Sequence, residues 1–268
     1  MNRALKEIAK AMLPASVVAE WQVRRALRGA PDAELQLLPA LARGGVFLDV
    51  GANMGSWCGQ AARAFAEVHA FEPIASLAAA LRRAAPPNVV VHELALSDRE
   101  GHGRFAVPIY GGRAVTTRAS LERGANIGVD GEAVHEVRLA RLDSLALLDV
   151  DVVKIDVEGH EAAVIAGARE TLARERPTLI VEIEERHHAG RSEDIIGSLV
   201  SQGYFCCYLR DARIENYRTG SIGELQPPDR RPVPGRSAGH YVNNFIFVPV
   251  ERGHEIEAME RFIARRPH

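Results

Sequence analysis

Leu48-Asp49-Val50-Gly51-Ala52-Asn53-Met54-Gly55 is the stretch that decides the fold. The apolar run 46–50 reads as a buried strand. Gly51 and Gly55 let the backbone turn sharply and come close to a ligand. Residues 56–65 then read as a helix. Strand, glycine turn and helix open an α/β sheet, whose ligand crevice lies beyond the carboxyl ends of its strands. A dinucleotide fingerprint would carry glycine where Asn53 and Ser56 stand, so a nicotinamide site fits poorly. Asp49 at the strand end would repel a pyrophosphate and attract a cationic cofactor.

Downstream, short apolar runs alternate with helical patterns. Strands are expected over 68–71, 89–95, 152–156, 179–183, 204–209 and 245–248. Helices are expected over 76–84, 161–172, 193–202 and 255–265. Such alternation with short connections predicts a parallel sheet covered on both faces. Two segments interrupt it. Residues 101–142 hold two short strand patterns, 104–107 and 134–139, around a loop spanning Gly111 to Gly131. Residues 219–239 crowd Pro227, Pro228, Pro232 and Pro234 together, which predicts an irregular loop. Ahead of the first strand, residues 1–43 predict a helical leader. Ile8, Met12 and Leu13 share a face there, and further helices are expected over 21–27 and 35–41.

Polar residues gather at the strand ends. Glu72 ends the second strand, where a carboxylate can accept both hydroxyls of a ribose or cap the next helix. Ser97 and Asp98 end the third, near where an adenine edge would lie; Asp98 would equally serve the turn that follows. The fourth strand ends in Lys154-Ile155-Asp156-Val157-Glu158-Gly159-His160-Glu161, the densest polar cluster in the chain. Alternation puts Lys154 and Asp156 on one face. These groups are costly to bury unless paired or bound to ligand, so they are either a catalytic edge or an ion pair of Lys154 with Asp156 or Glu182. Glu182 and Glu184 end the fifth strand. With Asp156 they are candidate oxygen ligands for a hard divalent ion.

Of 33 basic residues only Lys6, Lys10 and Lys154 are lysine, and the net charge of −2 gives no support to a nucleic-acid partner. Three cysteines, two of them adjacent, make no disulfide framework and predict a reducing, cytoplasmic location. No run approaches the ~18 apolar residues of a membrane span.

Taken in order, Phe47-Leu48-Asp49-Val50-Gly51-Ala52-Asn53-Met54-Gly55, Phe71-Glu72-Pro73, Ala95-Leu96-Ser97-Asp98, Arg141-Leu142-Asp143-Ser144-Leu145, Lys154-Ile155-Asp156-Val157-Glu158-Gly159-His160-Glu161 and Val181-Glu182-Ile183 resemble the FkbM family of S-adenosylmethionine-dependent methyltransferases. The resemblance covers residues 46–183 and the closing strand. It implies a class I methyltransferase fold: a Rossmann-like, doubly wound, mostly parallel seven-stranded sheet with its last strand antiparallel. It further implies methylation of hydroxyls on sugars, glycolipids, polysaccharides or secondary metabolites. Asp49, Gly51, Asn53, Gly55, Glu72, Ser97 and Asp98 would then bind the cofactor. Asp156, Glu158, Lys154 and His160 are the catalytic candidates, with Asp156 as the base or as the group that positions it. Residues 111–117 and the proline-rich segment are candidates for acceptor recognition.

The expected organisation is a leader over 1–43, a methyltransferase domain over 44–250 and a C-terminal helix over 251–268. Its partner is a small-molecule or glycan acceptor, and a homo-oligomer is compatible with the apolar side of the last helix. An N- or protein methyltransferase, or a cofactor-binding subunit without catalysis, would share these motifs.

Overall fold

The computed structural model describes residues 14–29, 32–122, 128–188, 190–227 and 241–265. The leader face of Ile8, Met12 and Leu13, the stretch 123–127 of the glycine loop, and Pro228, Pro232 and Pro234 lie outside these residues. The strands are β1 Val46–Val50, β2 Glu67–Phe71, β3 Val89–His92, β4 Ala95–Leu96, β5 Gly101–Tyr110, β6 Arg113–Ala114, β7 Gly131–Ala140, β8 Val150–Ile155, β9 Thr178–Glu182, β10 Tyr204–Arg210, β11 Arg213–Asn216 and β12 Asn244–Pro249. The helices are α1 Ala15–Ala26, α2 Leu38–Leu41, α3 Ser56–Ala61, α4 Ala75–Ala84, α5 Glu161–Ala166, α6 Arg169–Glu175, α7 Glu185–His188, α8 Ser192–Ser201, α9 Ile222–Leu225 and α10 His254–Ala264.

Eight strands form the main sheet in the order β11-β10-β12-β9-β8-β1-β2-β3. The pairings from β3 across to β9 are parallel. Those from β9 through β12 and β10 to β11 are antiparallel. This corrects the expectation of a mostly parallel, seven-stranded Rossmann-like sheet: the sheet is mixed and has eight strands. The added strand is β11, folded back on β10 by Asp211 and Ala212 at φ 47° and 56°. Two successive residues at positive φ make a hairpin turn that usually carries glycine. The Asp-Ala pair hides it.

A second sheet, in the order β4-β7-β5-β6, stands apart from the first. Its centre is the ten-residue hairpin of β5 and β7. The strand expected over 89–95 is therefore two pieces: β3 pairs with β2, while Ala95–Leu96 joins β7. The helix expected over 161–172 also divides. At Gly167, between α5 and α6, a Cβ would lie 1.9 Å from the Ser97 carbonyl oxygen, so this crossing requires glycine.

Alternation along the strands builds two cores. Leu48, Val50, Val153, Ile155, Leu179, Val181, Phe245 and Phe247 face one side. Phe47, Val68, Ala70, Val152, Ile180, Ile246 and Val248 face the other, under the leader and α10. Arg43 ties these last two together: its Nη2 lies 3.0 Å from Asp151 Oδ1 and its Nη1 2.8 Å from Glu255 Oε1. Among the described residues no helix is long and apolar enough to cross a membrane.

Candidate active site

A cleft of about 1080 Å³, including its open mouth, lies beyond the carboxyl ends of β1, β2 and β8. Its floor is the glycine turn. The Gly51 and Ala52 amides donate to the Phe71 carbonyl at 3.1 and 3.0 Å, binding the turn to the end of β2. Gly51 has φ 87°, and a Cβ on it would lie 1.8 Å from the Asp156 carbonyl oxygen. The close approach of the β8 end therefore demands glycine. Gly55, at φ 79°, is off the cleft wall; a Cβ there would strike Leu81 at 2.5 Å, so it serves packing.

Glu72 is pinned by two backbone amides. Asn53 N donates to Oε2 at 2.8 Å and Ile74 N to Oε1 at 2.7 Å. Burial nevertheless pushes its pKa up to about 7 against those two bonds. Asn53 sits at φ 47°, a conformation asparagine tolerates better than most residues. Its Oδ1 is buried with no hydrogen-bond partner. Asp49 is buried too: its Oδ2 accepts from the Cys58 amide at 3.1 Å and the Cys58 thiol at 2.9 Å. Burial raises it to about 6, partly opposed by Cys58 and Lys154.

Strand parity explains the rest. Asp49, Lys154, Asp156, Glu182 and Asn244 all project from one sheet face, with Asp49 paired to Lys154 and Asn244 to Glu182 in register. Lys154 is 1 % exposed. Its Nζ donates to Asn244 Oδ1 at 3.0 Å, lies 3.9 Å from Asp156 Oδ2 and sits 5.3 Å from the centre of the Trp57 ring. Burial opposes its charge, but Asp156 first, then Glu182, Asp32 and Asp49, hold its pKa above the ordinary lysine value. The Asp156 side chain is 38 % exposed, into the cleft. Enclosure raises its pKa to about 6, Lys154 pulls it down, and Glu158 and Glu161 push it up. Glu182 is held far above the carboxylate range by burial and then by Asp156.

Glu158, at φ 51°, also lines the cleft. His187 Nε2 lies 2.8 Å from its Oε2, and Arg186 Nη2 donates to the same oxygen at 3.4 Å. His160 reaches the cleft wall between two partners, Ser97 Oγ at 2.9 Å and Glu122 Oε1 at 2.7 Å. Ser97 and Asp98 are not on that wall; Ala95 and Leu96 are. Ser97 is fully buried behind His160, and its hydroxyl also donates to Asp98 at 3.1 Å.

The proposed ion-binding trio is not assembled. β9 ends at Glu182, so the alternation that would place Glu184 beside it stops. Glu184 is taken up instead by Arg186 and by Tyr241, whose hydroxyl donates to it at 3.1 Å. Among the described residues no group of three His, Cys, Asp or Glu side chains is arranged to hold a metal.

Several cleft residues have no local signature in the sequence. Asp32, from the leader, accepts from Trp57 Nε1 at 2.8 Å. Thr116 and Thr117 reach in from the second sheet's loop beside Phe105, Ala119 and Leu121. Glu122, His187 and Asn244 act through neighbours. Only the loop 111–117 was signalled, by its glycines and threonines.

An unpartnered buried carbonyl, a pinned carboxylate at ribose distance along the chain and an acidic wall at Asp49 and Asp156 fit a nucleoside that carries N–H and O–H donors and positive charge. That is the chemistry of S-adenosylmethionine.

The family profile for the methyltransferase FkbM domain matches residues 49–206, well over half of the chain. A curated relative, the AMB antimetabolite synthetase AmbE of Pseudomonas aeruginosa, is 30 % identical across 63 % of this chain. The chain spans only 10 % of that relative's length. Among solved structures, methyltransferase FkbM from Methylobacillus flagellatus aligns with 84 % of this chain and 58 % of its own at 13 % identity and TM-score 0.45. A precorrin-6y C5,15-methyltransferase from Geobacter metallireducens aligns with 81 % of this chain and 88 % of its own at 11 % identity and TM-score 0.37.

Proposed function

The chain belongs to the FkbM family of methyltransferases, and from that premise we propose that it methylates a hydroxyl oxygen of a sugar, glycolipid, polysaccharide or secondary metabolite. The similarity to part of an antimetabolite synthetase supports the last of these classes. The observation that carries the reading is Asp156: a carboxylate at the end of β8, open to the cleft, with a pKa of about 6 and a buried lysine 3.9 Å away.

S-adenosylmethionine, when bound, supplies a methyl group on a cationic sulfur. Gly51 would let the backbone approach it, Asn53 Oδ1 would accept one of its donors, and Glu72 would accept its ribose hydroxyls. Asp49 would complement its charge. A sugar-type hydroxyl is a poor nucleophile, so its proton must leave as the new C–O bond forms. A carboxylate oxygen of Asp156 takes that proton. Lys154 keeps Asp156 ionised near neutral pH. Glu158, oriented by His187 and Arg186, accepts a second acceptor hydroxyl. His160 positions the wall through Ser97 and Glu122. Phe105, Thr116 and Thr117 cover the reacting atoms and limit water, which alignment and rate both require.

In this reading residues 44–250 form one methyltransferase domain, with residues 1–43 as leader and 251–268 as closing helix. Three free, buried cysteines support a reducing, cytoplasmic setting. The deciding experiment is transfer of labelled methyl from S-adenosylmethionine to glycans and small-molecule extracts, with Asp156→Asn as comparison. The variant is expected to bind cofactor normally by calorimetry and to lose about 10²–10⁴-fold in transfer rate. Full-rate transfer by Asp156→Asn would remove Asp156 as base.

A further inference from the structure

The leader presents a surface that the cleft chemistry does not use. α1 packs inward through Val23, Ala19 and Leu27, and Ala26 reaches the cleft wall. On its outward side, Val17 and Trp21 are 46 % and 56 % exposed. Arg24, Arg25 and Arg28 are exposed as well. Positions 17, 21, 24 and 25 follow helical spacing on one face of α1, and exposed Arg28 follows in the turn beyond its end. A surface tryptophan beside a surface valine and flanked by arginines is an amphipathic arrangement, not a solvated charge row. Glu20 is the helix's one acidic residue, and it is engaged by Arg24 at 2.9 Å and by Arg83 at 3.1 Å.

Charge along the chain points the same way. Residues 1–28 hold Arg3, Lys6, Lys10, Arg24, Arg25 and Arg28 against Glu7 and Glu20, a net +4 in a chain whose total is −2. The remainder is therefore net negative, and the cleft itself is acidic. Within the described residues of this stretch, Arg24, Arg25 and Arg28 stand against Glu20 alone, so this face attracts an anionic partner.

We propose that the outward stripe of α1 docks on an anionic lipid bilayer, with Trp21 and Val17 entering the headgroup layer and Arg24, Arg25 and Arg28 meeting lipid phosphates. Tryptophan favours this depth because its ring is apolar and its N–H is polar. Juxtaposed arginines add attraction that depends on lipid charge and on salt. A nucleic acid would use the arginines but has no need of the exposed valine. Docking by this face does not depend on the methyl-transfer reading.

The test uses the full chain with vesicles of equal phosphatidylglycerol and phosphatidylcholine, against pure phosphatidylcholine vesicles and a DNA duplex. The chain has two tryptophans, and Trp57 is 6 % exposed, so the vesicle-induced change in emission reports Trp21. The expected result is co-sedimentation with the anionic vesicles only, with a blue shift that Trp21→Ala abolishes. Trp21→Ala is expected to weaken partitioning about tenfold, and Arg25→Glu with Arg28→Glu by about tenfold or more. Both changes are at exposed positions, and unchanged melting verifies folding. No binding to anionic vesicles, equal binding by the variants, or binding to DNA alone overturns the proposal. So does a free protein whose Trp21 emission is already blue and shielded from a soluble quencher, because the chain then covers this face itself.

Discussion

Replacing Lys154 by Met keeps an unbranched stem against Trp57 and removes the charge facing Asp156. At the observed 3.9 Å, two unit charges interact by about 4 kcal/mol at an effective dielectric of about 20 and about 1 kcal/mol in water. Asp156 is 38 % exposed, so solvent screening moves the value toward the lower end, to about 1–2 kcal/mol. At about 1.4 kcal/mol per pH unit, that is about one unit. The Asp156 pKa should rise from about 6 to about 7. Asp156 acts as a base only when ionised, so the rate falls as pH drops through its pKa. The acid limb of kcat/KM, which reports groups in the free enzyme, should therefore shift upward by about one unit in Lys154→Met. Labelled-methyl initial rates across acid to mildly alkaline pH measure it. A structural role alone would lower the plateau and leave the midpoint in place. An unmoved midpoint would refute the coupling of Lys154 to Asp156.

Further outcomes follow from neighbouring residues. Asn53→Gly suits the φ of 47° and deletes the unpartnered Oδ1; folding should persist while S-adenosylmethionine affinity falls about tenfold by calorimetry. Gly51→Ala puts a methyl 1.8 Å from a backbone oxygen at φ 87°, and loss of more than about 3 kcal/mol in denaturant unfolding is expected. Glu72 is raised from 4.5 to about 7 by burial, so the folded state binds the extra proton between those values. Stability of the free protein should then decline by up to about 3 kcal/mol as pH rises through that window. Glu72→Gln should flatten the decline, and an unchanged slope in the variant would assign it elsewhere.

Much of the parallel half of the sheet was legible because each element carried a local signal. The run 46–50 ends at a glycine turn, and 179–181 is apolar throughout before Glu182. The antiparallel half was harder. β11 follows a turn without glycine, and its exposed residues show no apolar pattern. The second sheet was read as two short strands because Pro108, Gly101 and Gly103 lower the strand signal of β5, although cross-strand pairing with β7 runs the full hairpin. Within the site, Asp49, Gly51, Asn53, Glu72, Asp156, Glu158 and His160 stood in readable motifs, and all line one cleft. Ser97 and Asp98 lie off it, although β4 reaches its wall through Ala95 and Leu96, because Ser97 is buried behind His160. Asp32, Glu122, His187 and Asn244 arrive from distant segments, and no local pattern marks a contact made across the fold.

The antiparallel direction of β12 bears directly on the buried lysine. In a parallel arrangement the strand beside β9 would bring its carboxyl end to the cleft. β12 runs the other way, so its first residue, Asn244, stands there instead. Asn244 accepts from Lys154 Nζ, and its amide points on to Glu34 at 3.5 Å. Asparagine supplies the ammonium with a neutral acceptor. A carboxylate in that place would compete for the lysine and release Asp156 upward in pKa. Glu182, also on this face, has its pKa raised by burial and then by Asp156, and after Asp156 it is the next carboxylate that favours the lysine's charge. Asp156 is the first of the carboxylates that hold Lys154 charged, and it opens to the cleft. The antiparallel direction of β12 thus brings a neutral acceptor to Lys154, the one lysine of the sequence beyond residues 1–43.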